Sequence, residues 1–209
     1  MPRVEGVRMI PGNLGPDFED VLQLSRILLA VTLAAICIAL AVAIGDCEAH
    51  ADDGPSPAAV AAAIRTLQPA TAEPRANRLA TVFHTAAHDH GHDALLLVAI
   101  AFRESSLSKA VELRRRRGAL GELGLMQSHG AALRVRPADC NHHLVGARCQ
   151  VQTGAAWLSY ARMQCGGSWW RWVAAYGLRA CPSERMARED GPARVAHRHY
   201  LRIGGTRWR

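Results

Sequence analysis

Ala94-Leu95-Leu96-Leu97-Val98-Ala99-Ile100-Ala101-Phe102, closed by Arg103-Glu104-Ser105-Ser106 and followed after an interval by Gly124-Leu125-Met126-Gln127, decides how this chain is read. The first nine residues are apolar nearly all round, which predicts a helix buried in a core rather than one lying on a surface. Such a helix, built for packing alone, has little reason to end in a carboxylate and two hydroxyls. Glu104 therefore stands where core meets surface. A carboxyl there is partly desolvated and its pKa rises, as a general acid working near neutral pH requires. The plainer alternative is a helix-end Glu that is solvated or paired with Arg103.

Outward from this stretch the pattern stays helical. Ala58–Leu67 and Arg75–His88 read as helices, separated by the breakers Pro69 and Pro74. Gly91 ends the second, and Asp93 caps the central helix. Leu125–Leu133 resumes helical spacing, and Gln150–Gln164 forms a further helix with Val151, Ala155, Leu158 and Met163 toward one side. Gly166-Gly167 breaks the chain before Trp169-Trp170-Arg171-Trp172-Val173-Ala174-Ala175-Tyr176, and Pro192 opens a last helix through Ile203. No alternating strand pattern runs longer than a few residues, and there is no internal repeat or phosphate-cradling glycine loop. The fold class is all-α.

Three segments follow. Residues 1–51 form an N-terminal extension and leader, 52–74 a linker and short helix, and 75–209 the main domain. Ile27–Ile44 is an uncharged run of 18 residues behind Arg26, long for a signal-peptide core and short for a membrane span, which takes ~20. Ala49-His50-Ala51 follows as a small-x-small cleavage pattern, so the chain reads as exported, to a periplasmic or extracellular compartment. A leader left uncleaved would anchor it in the inner membrane through residues 27–44. Cleavage leaves Cys140, Cys149, Cys165 and Cys181, an even set that in an exported domain reads as two disulfides. Four cysteines allow three pairings; we take local closure, Cys140–Cys149 and Cys165–Cys181. A zinc site on Cys140, His142, His143 and Cys149 lacks a Cys-x-x-Cys pair. No metal or cofactor is implied. His84, His88, His90 and His92 read as a solvated face and turn, although His84 and His88 share a helix face.

The net charge of +7 is uneven: three Arg and six Asp/Glu in residues 1–51 give −3, leaving +10 beyond. A basic surface favours an anionic partner such as a cell-wall polymer, nucleic acid or lipid headgroups. No nucleic-acid module accompanies it and export argues against that partner. Arg114-Arg115-Arg116-Arg117 reads as a solvated loop or a contact to an anionic polymer.

Glu-Ser closing an apolar helix, then Gly-Leu-Met-Gln opening another, then Ala-Ala-Tyr late in the chain, resembles the soluble-type (SLT) lytic transglycosylases of the lysozyme-like superfamily. The resemblance covers about residues 75–203. It implies Glu104 as catalytic acid/base, Ser105 as its neighbour, Gly124, Met126 and Gln127 in the substrate cleft, and Tyr176 facing the carboxyl. It also implies peptidoglycan glycan strands as substrate, cleaved between MurNAc and GlcNAc without water to leave 1,6-anhydro ends. This sequence departs from the family in three places. Gly177 stands where Asn usually follows the late Tyr. The interval from Glu104 to Gln127 is longer by about one helical turn, and Ser128-His129-Gly130 replaces an apolar residue with Pro nearby.

Two other readings remain open. A hydrolytic muramidase needs a second carboxylate within ~5–9.5 Å of the first; Glu122 is the best placed, with Glu112 and Asp139 behind it. A non-catalytic wall-binding protein of a secretion or conjugation apparatus, anchored if the leader is retained, needs no second acid. Trp169, Trp170 and Trp172 are available either to stack on sugar faces or to pack the core.

Overall fold

The computed structural model describes residues 54–189 and 191–206, so the expected leader and its cleavage site lie outside the described residues. Eight α-helices are found among these residues: α1 (Pro57–Leu67), α2 (Glu73–His90), α3 (Ala94–Ser105), α4 (Lys109–Glu112), α5 (Gly146–Cys165), α6 (Trp169–Leu178), α7 (Glu184–Glu189) and α8 (Pro192–Arg202). A 3₁₀ helix, Gly130–Val135, lies between α4 and α5. None of the described residues forms a β-strand, and none of the helices they form is long and apolar enough to cross a membrane.

The central helix α3 is enclosed as its composition requires, with Ala94 to Ala101 all buried. Burying a Leu, Ile or Val side chain contributes about 1.5–3 kcal/mol, so this one segment is a large share of the core. Helices α1, α2 and α8 pack on it, while α5 packs on α2 and α6. Helix α1 brings Val60, Ile64 and Leu67 into the same core as α3. The start of α3 is held twice by one carboxylate. Asp93 Oδ1 accepts from the Leu95 N–H at 2.7 Å, and Asp93 Oδ2 accepts from the Tyr200 hydroxyl of α8 at 2.5 Å. The expected cap is present, and the last helix is tied to it. Gly91, at φ 62°, ends α2 in the left-handed conformation that costs glycine little.

One expected helix is absent. Leu125–Leu133 has helical spacing, yet residues 124–127 turn sharply and only Gly130–Val135 coils, as 3₁₀. Positive φ at Gly124 (73°), Gln127 (49°) and Gly130 (48°) is incompatible with a continuous right-handed helix. Leu123 and Ser128 pair through two backbone hydrogen bonds of 2.9 Å instead.

Both disulfides have the local pairing, Cys140–Cys149 and Cys165–Cys181. The first removes Cys140 and Cys149 as metal ligands, and no group of three or more His, Cys, Asp or Glu able to hold a metal ion is found among the described residues. His90 and His92 are not a solvated turn. His90 Nε2 lies 2.9 Å from Gln152 Oε1. His92 Nε2 lies 3.2 Å from the Ala155 carbonyl oxygen and 2.9 Å from Ser159 Oγ, and its ring stacks on Trp172. They join α2 and its exit to α5, an assignment that needed the position of α5.

Burial pushes the His92 imidazole down to about 4 despite the Ala155 carbonyl, with His90 and Arg162 adding to the fall. The neutral ring is the folded form, so its contribution to stability is complete above about pH 6.5 and is lost as pH falls toward about 4. We predict that the thermal midpoint declines across this window and that His92→Gln flattens the decline; parallel slopes would exclude the role. The Cys165–Cys181 bridge closes a 16-residue separation, for which chain entropy gives about 3 kcal/mol. Cys165→Ser with Cys181→Ser should lower stability by that order in urea.

Candidate functional site

A cleft opens at the C-terminal end of α3, where the buried helix reaches the surface. Glu104 stands on its wall, with Gln127 and Ser128 from the turn, Trp157 from α5, and Tyr176 and Gly177 from α6. Glu122, His129 and Arg179 complete a charged side of the same cleft. The folded chain thus brings together Glu104, Gln127 and Tyr176, three residues separated by up to 72 positions.

The turn that carries Gln127 is built by two close approaches. A side chain at Gly124 would place its Cβ 2.4 Å from Gln150 Cγ, and Gly124 has φ 73° besides. A Cβ at Gly118 would fall 2.2 Å from Gln127 Oε1 and 2.3 Å from Glu122 Oε2. Glycine is required at Gly124 by both contact and φ, whereas at Gly118 the atoms met first are the movable ends of the Gln127 and Glu122 side chains. Behind the turn, the fully buried Gln150 accepts from the Leu125 N–H at 2.9 Å. Its amide nitrogen donates to the Glu112 and Leu144 carbonyls at 2.8 and 3.1 Å. The Tyr176 hydroxyl donates to the Met126 carbonyl at 2.6 Å, and Gln127 Nε2 donates to the Gly124 carbonyl at 2.8 Å. Gly124 and Met126 therefore act through the backbone: Gly124 shapes the turn, and Met126 is buried with its side chain against Gly154. Ser105 is buried, and its hydroxyl donates back to the Ala101 carbonyl at 3.0 Å, away from the cleft lining.

Glu104 is not in open solvent; its side chain is 18% exposed. Its Oε1 forms an ion pair with Arg103 Nη2, yet makes no contact with hydrogen-bond geometry. Burial lowers the Arg103 guanidinium to about 10, countered by Tyr176, so it remains charged at neutral pH. Burial also raises the Tyr176 phenol, while Arg103 and the neighbouring Ser128 hydroxyl oppose the rise. Ser128 Oγ, though close enough to act on the phenol, makes no hydrogen bond of ordinary geometry.

Across the cleft, burial alone would raise Glu122. The N–H groups of Glu122 and Leu120, with His129 and Arg179, outweigh it and hold the carboxyl below its usual range. Arg179 Nη2 stands 3.8 Å from Glu122 Oε1. Burial and Arg179 lower His129, against Glu122. The cleft thus pairs a Glu on an apolar wall with a second carboxylate in a polar one.

Glu112 and Asp139 take other roles. Glu112 is buried between Arg75 and Arg78, and Asp139 is exposed and paired with Arg148. Trp169 and Trp170 stack on each other at 4.2 Å with His197 alongside, and none of the three clustered tryptophans lines the cleft. The tryptophan of the cleft is Trp157, stacked on Tyr160. Trp157, Arg179 and Gln150 were not legible as site residues. The one signal was a Gln seven residues before a Trp on a helix whose other face is small and apolar.

Residues 81–191, 111 of 209, match the family model of the transglycosylase SLT domain. No curated protein and no solved structure matches the chain. We predict that Gly124→Ala, with a clash against a buried amide and a strained φ, lowers stability by about 2 kcal/mol or more. Urea unfolding measures this, and an unchanged midpoint would show that the turn yields freely.

Proposed function

The chain belongs to the transglycosylase SLT domain family, and on that premise we propose that it cleaves the MurNAc–GlcNAc bond of peptidoglycan without water, with Glu104 as the single acid/base. The observation that carries this reading is the meeting of Glu104 with Gln127 and Tyr176 in one cleft at the end of a buried apolar helix. Glycoside cleavage passes through an oxocarbenium-like state after protonation of the leaving oxygen. Glu104 gives its proton to that oxygen as the C1–O bond breaks. The substrate's N-acetyl group stabilises the cation at C1. The Glu104 carboxylate then removes the C6 hydroxyl proton, and the C6 oxygen bonds to C1. One proton leaves and one returns, giving a 1,6-anhydro end with no net use of water.

The rest of the cleft supplies positioning. Tyr176 is committed through its proton to Met126, so it fixes the turn and leaves its oxygen to accept a further bond. Trp157 offers an aromatic face, to which the C–H faces of sugars adhere. In this reading the substrate-binding set is Ser105, Gly124, Met126, Gln127 and Tyr176, with Ser105, Gly124 and Met126 acting by holding the wall. Export fits the two disulfides, since such bonds persist in oxidising compartments. The leader is then removed after Ala51 or kept as a membrane anchor, and a role beside secretion or conjugation machinery is compatible with either.

One observation favours a second reading. Glu122 lines the same cleft and is held in its ionised form, as a base for an attacking water requires. The mass of the released muropeptides separates the two, because anhydro ends are lighter than reducing ends by one water. Glu104→Gln should keep the thermal midpoint within a few degrees and abolish release of muropeptides from purified sacculi. Wild-type products should be anhydro, and Glu122→Gln should leave their mass unchanged. Reducing-end products, or full lysis by Glu104→Gln, would reassign the chemistry.

A further inference from the structure

Arg103 and Glu104 are consecutive on α3, and consecutive helical side chains ordinarily point about 100° apart. Here they meet: Arg103 Nη2 forms an ion pair with Glu104 Oε1, and only 14% of the Arg103 side chain is exposed. What holds the guanidinium there is the wall formed by α6 and α8. A Cβ on Gly177 would lie 3.0 Å from Arg103 Nη2 and 3.0 Å from Pro192 Cγ. The bare backbone of Gly177 thus leaves room that the guanidinium and the Pro192 ring both approach. Gly177 has an ordinary helical φ, so turn geometry does not call for glycine here. The close approach of Arg103 and Pro192 does.

We propose that Arg103 is a positioning residue for Glu104: its guanidinium, lodged against Gly177, holds the carboxyl at the cleft wall and stabilises the negative charge left when Glu104 gives up its proton. The inference rests on the glycan-cleavage reading for its consequence in catalysis, though not for the pairing itself. Glu104 alternates between acid and carboxylate in that cycle, and a cation fixed beside it favours the carboxylate. Arg103 therefore assists the departure of the proton and opposes its return. A general acid must be protonated to act, so activity falls as pH rises through its titration. The cation moves that fall to lower pH. Other groups around the pair are Tyr176 on α6, Arg179 beyond it, Glu122 and His129 in the loop, and His199 of α8, which sits edge-on to Phe102. Of the cations at neutral pH, Arg179 stands with Glu122, while Arg103 touches Glu104.

The test follows the Glu104 carboxyl carbon by NMR titration of the full chain carrying ¹³C-labelled glutamate. The signal is assigned by its loss in Glu104→Gln, and the pH profile of muropeptide release is measured in parallel. Arg103→Gln should raise proton affinity at Glu104 by tenfold or more, since an opposite charge at this range is worth one pH unit or more. The alkaline limb of the activity profile should move up with it. Arg103→Lys should keep the wild-type midpoint to within about threefold. Gly177→Ala improves helix propensity and presses its methyl group on Arg103 Nη2 and on the Pro192 ring alike, so it should shift the titration in the same direction without loss of fold. An unmoved Glu104 titration in Arg103→Gln and Gly177→Ala overturns the proposal. So does a uniform loss of activity with no change in the profile, the mark of a merely structural arginine. Wild-type protein that releases no muropeptides, yet shows the shifted titration, removes the glycan reading and leaves the pairing standing.

Discussion

One buried side-chain amide, that of Gln150, ties together three segments of the chain. Its nitrogen serves the carbonyls that end α4 and precede α5, and its oxygen serves the N–H of Leu125. Each bond contributes about 0.5–1.5 kcal/mol, but the larger constraint is the cost of breaking one of them, since a buried amide left unpaired loses its full solvation. The turn from Gly124 to Gln127 is therefore pressed against α5 with little freedom to shift. Tyr176 fixes the same turn from the opposite side through Met126. Between these two clamps the turn presents Gln127 to the cleft that Glu104 also lines.

The cleft built on that turn divides its charges by environment. Glu104 comes off a helix whose first nine residues are apolar and is met by Arg103 from the same helix. Glu122 comes off a polar loop and is met by backbone N–H groups, His129 and Arg179. Both carboxylates are balanced by a cation, but in different ways. The Arg103 side chain is only 14% exposed and lies against Gly177, so its attraction is weakly screened. Arg179 is exposed, where water and salt weaken the pairing. Removing a guanidinium from water is costly, and the depressed Arg103 value reflects this. That cost is tolerated at the point where the fold places a carboxylate against it.

The all-α class, the caps at Gly91 and Asp93, the buried central helix and the two local disulfides were legible because each depends on residues near one another in sequence. An apolar run without a polar face has to be enclosed wherever it packs, and cysteines nine or sixteen residues apart close short loops. Glu104, Gln127 and Tyr176 were legible as short motifs in a set order, not as a geometry. The failures have one cause. Leu125–Leu133 had helical spacing, but left-handed residues at both ends of the turn overrode it. His90 and His92 looked like surface residues until α5 was laid across them.

The sequence by itself determined that a greasy helix would end in a carboxylate at the edge of a helical core, since hydrophobic periodicity and chain-local capping require no knowledge of the partners. Only the tertiary structure decided which side chains surround that carboxylate. Trp157 of α5, the slot at Gly177 of α6 and Arg179 at the end of α6 reach the site from two elements, with Gln150 of α5 behind the turn. Contacts between elements far apart in the chain leave no periodic trace in its sequence.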